Sequence, residues 1–133
     1  MNHTIVEGRE NLRLEDVVRL LKTTYWAKDR TPQQIVASMR HSACYGVLLD
    51  DGSLAGFARV ITDRATTYYL CDVVIDEALR GQGLGTALVA HIVALPEYAG
   101  LRGLLLTRDA HDLYRKFGYE VLDGRAMVKK PNR

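Results

Sequence analysis

Apolar positions in the first third of the chain recur at helical spacing. Leu14, Val17, Val18 and Leu21 share one face of a helix predicted over residues 14–23. Thr31-Pro32-Gln33-Gln34 reads as a helix start. Thr31 is a capping residue, Pro32 suits the first helical position, and Gln34 completes a capping box. The helix it opens carries Ile35, Val36 and Met39. A short strand over residues 3–8 precedes both helices. From residue 44 the period changes to that of strands. Cys44 to Leu49, the turn Asp50-Asp51-Gly52 and Ala55 to Thr62 predict a hairpin. After a polar turn at residues 63–65, Thr67 to Ile75 is rich in Thr, Tyr and Val and predicts a third consecutive strand. The middle of the chain is expected to form an antiparallel meander.

The pattern changes again at Arg80-Gly81-Gln82-Gly83-Leu84-Gly85, which leads into an apolar helix from Thr86 to Leu95 stopped by Pro96. Leu101 to Leu106 predicts a strand, and Asp109 to Phe117 a helix with Gly118 at its end. Tyr119 to Leu122 and Ala126 to Lys129 predict two strands around Asp123-Gly124. The expected fold class is mixed α+β. A central, mostly antiparallel sheet is flanked by about four helices in a single domain over residues 1–133.

Composition narrows the function. With 133 residues the chain suits one domain. Lys plus Arg number 18 and Asp plus Glu 16, a net charge of +2. That balance removes the electrostatic case for a nucleic-acid binder. Cys44 and Cys71 form no metal-binding spacing and read as reduced, partly buried thiols. The most apolar window, Ala87 to Leu95, is far shorter than the roughly 20 residues a membrane span needs. No membrane partner, no metal and a cytoplasmic location are expected.

The chemistry concentrates between Val73 and Gly85. A strand ends, and a turn holding Gly81, Gly83 and Gly85 opens a helix. Its backbone N–H groups are unshielded and the helix dipole adds positive charge, a site suited to phosphate or pyrophosphate. Arg80 lies beside it and can pair with phosphate oxygens. The dinucleotide pattern G-x-G-x-x-G fails, because Thr86 stands where its third glycine belongs. The Walker pattern is absent. The pattern [RQ]-x-x-G-x-[GA] remains, matched by Arg80, Gly83 and Gly85.

In these residues the chain resembles the GNAT superfamily of acyl-CoA-dependent N-acetyltransferases. A second block agrees: Ala110-His111-Asp112-Leu113-Tyr114-Arg115-Lys116-Phe117-Gly118-Tyr119 is similar to the family's A-x-x-L-Y-x-x-x-G-[FY] helix. The resemblance implies acetyl-CoA as cofactor. It places the pyrophosphate on Arg80, Gly81, Gln82, Gly83, Leu84 and Gly85, adds Thr86 as a further cofactor contact, and places the pantetheine arm on the backbones of Val73, Val74 and Ile75. Tyr114 then contacts the cofactor and is the general acid for the departing thiolate. Thr107 stands where many members carry a cofactor-binding Asn. Asp72 is the nearest acidic candidate for the general base, and a water chain is the alternative. As an acid inside an apolar strand, Asp72 needs a partner such as Arg59 or Arg64. Tyr25 and Trp26 fall in the region that lines the family's acceptor site. A small-molecule amine is the expected acceptor, with a protein or peptide amine, or a non-catalytic CoA-binding module, as rivals. A homodimer joined through residues 119–128 is a further expectation.

Overall fold

A computed structural model describes residues 2–132. Its elements in chain order are β1 (His3–Glu7), α1 (Leu14–Leu21), α2 (Pro32–Arg40), β2 (Ala43–Leu49), β3 (Leu54–Thr62), β4 (Thr67–Ile75), α3 (Leu84–Val93), β5 (Arg102–Leu104) and α4 (His111–Arg115). The five strands form one sheet in sequence order. β1 to β4 are a meander of antiparallel pairs, and β5 joins β4 in parallel. A parallel neighbour needs a crossover, which α3 supplies.

The two faces of the sheet carry separate cores. α1 and α2 cover one face, where Val17, Leu20, Leu21, Ile35 and Met39 pack with Phe57 and Val74. α3 and α4 cover the other, where Leu84, Leu88, Val89, Ile92 and Tyr114 pack with Val47, Val60 and Leu70. The helical spacing read in residues 14–21 is therefore the buried stripe of α1. The capping box of α2 forms as the sequence implies. The Gln34 N–H donates to Thr31 Oγ1 at 3.1 Å, and the Thr31 N–H donates to Gln34 Oε1 at 2.8 Å.

One expectation fails. Residues 119–122 and 126–129 are not strands. Val121, Leu122, Met127 and Val128 are exposed there. A strand needs a bonded neighbour, and the sheet ends at β5, whose edge is three residues long. The alternating pattern is present, but within one chain no ladder receives it.

β5 is short but tightly seated. A Cβ at Gly103 would lie 2.5 Å from the Tyr68 ring. That ring cannot swing aside freely: its hydroxyl is bonded to that of Tyr119 at 2.9 Å, and it packs against Tyr98 at 5.0 Å between centroids. Gly103→Ala is therefore expected to lower stability by about 1–3 kcal/mol through overpacking. Urea unfolding at neutral pH measures it.

Candidate active site

β4 and β5 are bonded only from Thr67 to Tyr69. Beyond Tyr69 the two strands part, so the β5-facing edge of residues 71–75 carries no ladder. Parted parallel strands open a cleft in the sheet, with free backbone donors and acceptors along one wall.

The glycine-rich turn stands at the end of that wall. Gly81 and Gly83 have φ of 82° and 81°, a left-handed backbone that glycine adopts without steric cost. Gly83 is the N-cap of α3, and the first intrahelical bond runs from the Ala87 N–H to the Gly83 carbonyl at 3.0 Å. The N–H groups ahead of Ala87 have no partner within the helix. A Cβ built on Gly81 or Gly83 meets nothing within 4 Å, so the turn is open on its outer side. A Cβ on Gly85 would sit 3.6 Å from Ile75, which fixes the start of α3 against the end of β4. Arg80 is exposed beside the turn, its Nε bonded to the Ile75 carbonyl at 3.3 Å. Open N–H groups, a helix N-terminus and a guanidinium make a donor set that fits a pyrophosphate. Below it, Asp76 holds the strand end: it accepts from the Ala78 N–H at 3.0 Å and from Arg19 at 3.0 Å.

Midway along β4 the pairing with β3 shifts, with Phe57 opposite Val74 but Arg59 opposite Cys71. The extra residue is a β-bulge, and Asp72 within it has φ of 56°. Asp tolerates this left-handed region better than most side chains. The carboxylate is almost fully buried and completely engaged. Oδ2 accepts from Arg59 Nε and Arg30 Nη1, each at 2.7 Å, and Oδ1 accepts from Trp26 Nε1 at 3.0 Å. Burial alone would push the Asp72 carboxyl up; the hydrogen bond from Arg30 and the charge of Arg59 outweigh it and hold it below its ordinary value. Burial likewise works against the Arg59 charge, and Asp72 more than compensates.

Tyr114 is buried in the α3–α4 core with Leu84 and Leu88, while Val73 and Ile75 pack against the edge of that core. Burial raises its phenol to about 12, so the proton stays on throughout the neutral range. Its hydroxyl has no hydrogen-bond partner among the described residues, unlike those of Tyr45 and Tyr98, which bond each other. Thr107 is engaged locally: Oγ1 accepts from the Ala110 N–H at 3.0 Å and caps the start of α4. Tyr25 and Trp26 are half-exposed between α1 and α2 and meet edge to face at 5.1 Å. Arg108, from the segment after β5, stacks its guanidinium 3.9 Å over the Tyr25 ring. That cation–π contact joins the α1–α2 loop to the segment after β5.

Fold and cleft define a GNAT-type protein, and the family model described as acetyltransferase (GNAT) family matches residues 14–119. The chain belongs to this family. A solved structure from Xanthomonas campestris pv. campestris, described as a putative GNAT-family acetyltransferase, is 33% identical, covers 98% of this chain and 94% of its own, and superposes with a TM-score of 0.90. A GNAT-family acetyltransferase from Streptococcus pneumoniae shares the fold at 24% identity and a TM-score of 0.78, covering 99% of this chain and all of its own. Histone acetyltransferase TAP1 of Glycine max is 32% identical over 70 residues, which are 51% of this chain and 30% of that protein. The chain thus spans under a third of that curated relative. Family and fold indicate an acyltransferase, and no helix among the described residues is long and apolar enough to cross a membrane.

Val73, Val74 and Ile75 end β4, Arg80 to Thr86 form the turn and first residues of α3, and Tyr114 packs in the core that Val73 and Ile75 border. The partner that Asp72 needed is Arg59, while Arg64 lies in the turn between β3 and β4. Arg30 and Arg108 escaped the sequence reading. Nothing local marks them, since Arg30 meets Asp72 across 42 residues.

Removing the Asp72 carboxylate leaves two guanidinium groups without their counter-charge. Asp72→Ala is expected to cost about 3–5 kcal/mol. The folded-state acidity of Asp72 is increased, so its stabilisation is present above the unfolded value of about 4 and fades as pH falls towards the folded value. Urea unfolding of both proteins from pH 7 to pH 3 should show the gap narrowing at the acid end. A gap that is constant with pH would argue against the ion-pair origin.

Proposed function

We propose that the protein is an acetyl-CoA-dependent N-acetyltransferase acting on the amine of a small molecule. The observation that carries this is the parting of β4 from β5 beside the open glycine turn of α3. Arg80, Gly81, Gln82, Gly83, Leu84, Gly85 and Thr86 hold the pyrophosphate. The free backbone edge at Val73, Val74 and Ile75 receives the pantetheine arm, and one of its N–H groups takes the developing oxyanion. Acetyl-CoA supplies an activated acyl group: a C–N bond forms as the C–S bond breaks, and the proton lost by nitrogen is matched by one gained at sulfur.

Tyr114 holds a donor proton at the cleft wall and offers it to the departing sulfur. Asp72 was the candidate base. With both oxygens occupied and its basicity reduced, it organises the bulge instead, and water takes the amine proton. Thr107 acts on the cofactor only through the start of α4 that it caps. The Tyr25–Arg108 bridge narrows the acceptor end, which favours a small amine over a folded protein surface. Acetylation of a protein amine draws only on the printed name of a relative matched over part of its length.

Calorimetric titration with acetyl-CoA, with NAD as control, tests the cofactor. Saturable binding of acetyl-CoA alone is expected; no binding would end the acetyltransferase reading. Arg80→Glu should weaken that binding about 10- to 100-fold, the range of a charge-assisted contact. Tyr114→Phe should lower kcat by about 100-fold in a thiol-release assay while acetyl-CoA affinity stays unchanged. Equal turnover would remove Tyr114 from the acid role.

A further inference from the structure

We propose that the acceptor amine carries a compact anionic oxygen group, a carboxylate or a phosphate, received by the free guanidinium nitrogens of Arg59 and Arg30 beside Asp72. This rests on the acetyltransferase reading above and names the substrate class of the same site.

The first ground is the supply of donors. A guanidinium has five N–H groups. Arg59 spends only its Nε and Arg30 only its Nη1, both on the same oxygen of Asp72. No other acceptor meets either side chain among the described residues. The Arg59 side chain is only 11% exposed and that of Arg30 25%. Yet no fully buried side-chain nitrogen or oxygen lacks a partner among the described residues. The unpartnered nitrogens therefore keep some exposure and stay open to an incoming acceptor. Asp72, itself 2% exposed at the side chain, cannot turn to serve them, since Trp26 holds its other oxygen.

The second ground is charge. Arg30 from the α1–α2 loop and Arg59 from β3 bring two positive charges, and Asp72 from β4 returns one. The other groups facing the cluster add no negative charge at neutral pH. Burial raises the thiol of Cys71 to about 11 and also raises the phenol of Tyr69. Trp26 and Tyr25 are uncharged, and Arg108 at the rim is positive with Asp109 3.9 Å away. One uncompensated positive charge remains in a partly dry cleft, where a cationic acceptor is repelled and an anionic one is welcomed. The same excess assists the chemistry. A nearby carboxylate keeps an amine protonated, and pairing that carboxylate with guanidinium removes the obstacle to forming the neutral nucleophile.

The test is acetyl-CoA turnover, read as thiol release, on amines taken in matched pairs. Phenylalanine is set against phenethylamine, 4-aminobutyrate against butylamine, and phosphoethanolamine against ethanolamine. The anionic member of at least one pair should be preferred by about 10- to 100-fold in kcat/KM; the pair that responds tells carboxylate from phosphate. Arg30→Gln should collapse that ratio chiefly through KM, while keeping the Arg59–Asp72 pair for folding. Arg59→Lys checks it a second way, because lysine retains charge but loses the fork. Equal or better turnover of the members that lack the anionic group overturns the proposal. So does acetylation confined to lysine peptides, or silence of the whole panel while acetyl-CoA still binds. Failure of acetyl-CoA binding instead removes the acetyltransferase reading beneath it.

Discussion

The site depends on one buried carboxylate. Asp72 stands in a left-handed bulge in β4 and is held by three side chains from two places: Trp26 and Arg30 from the loop between α1 and α2, and Arg59 from β3. Burying a charge costs several kcal/mol, and only full pairing with hydrogen bonds offsets it. Here every bond goes to a group that must itself be positioned. The bulge, the loop over the acceptor end and the centre of β3 are therefore ordered together. A short apolar residue at position 72 would leave the sheet possible and the cleft unspecified.

The second constraint is the brevity of β5. Pairing with β4 for three residues anchors the crossover through α3 and then lets the strands part. The parting gives the sheet two working faces. On the α3–α4 side lie the glycine turn, the open backbone edge and Tyr114, which suit a long phosphorylated cofactor. On the α1–α2 side lie the arginines, Trp26 and Tyr25, which suit a compact acceptor. The two meet at the bulge, where the backbone of β4 passes between them.

Legibility followed locality. The capping box at Thr31 and Gln34, the stripe of α1 and the glycine turn are each set by residues within one or two helical turns, and each formed where its spacing implied. The C-terminal strands did not. Val121, Leu122, Met127 and Val128 carry a strand-like pattern, but strand formation depends on a bonded neighbour from elsewhere, and β5 offers too little edge. Thr107 shows the same limit on a smaller scale. Its position matches a cofactor-binding residue of the resembled family, and its hydroxyl oxygen also accepts from the Ala110 N–H, three residues ahead, which caps the start of α4.

The sequence by itself determined the family, the order of elements as far as α4 and the place of the glycine turn, because backbone conformation there is dictated by glycines and by adjacent capping residues. It also marked Asp72 as a charge needing a partner. The tertiary structure alone decided what Asp72 is for. Its partners lie 13, 42 and 46 residues away. Distance in space, not spacing along the chain, sets the strength of an ion pair. Folding brought two arginines and a tryptophan to one carboxylate, and so fixed the bulge of β4 at the point where they meet.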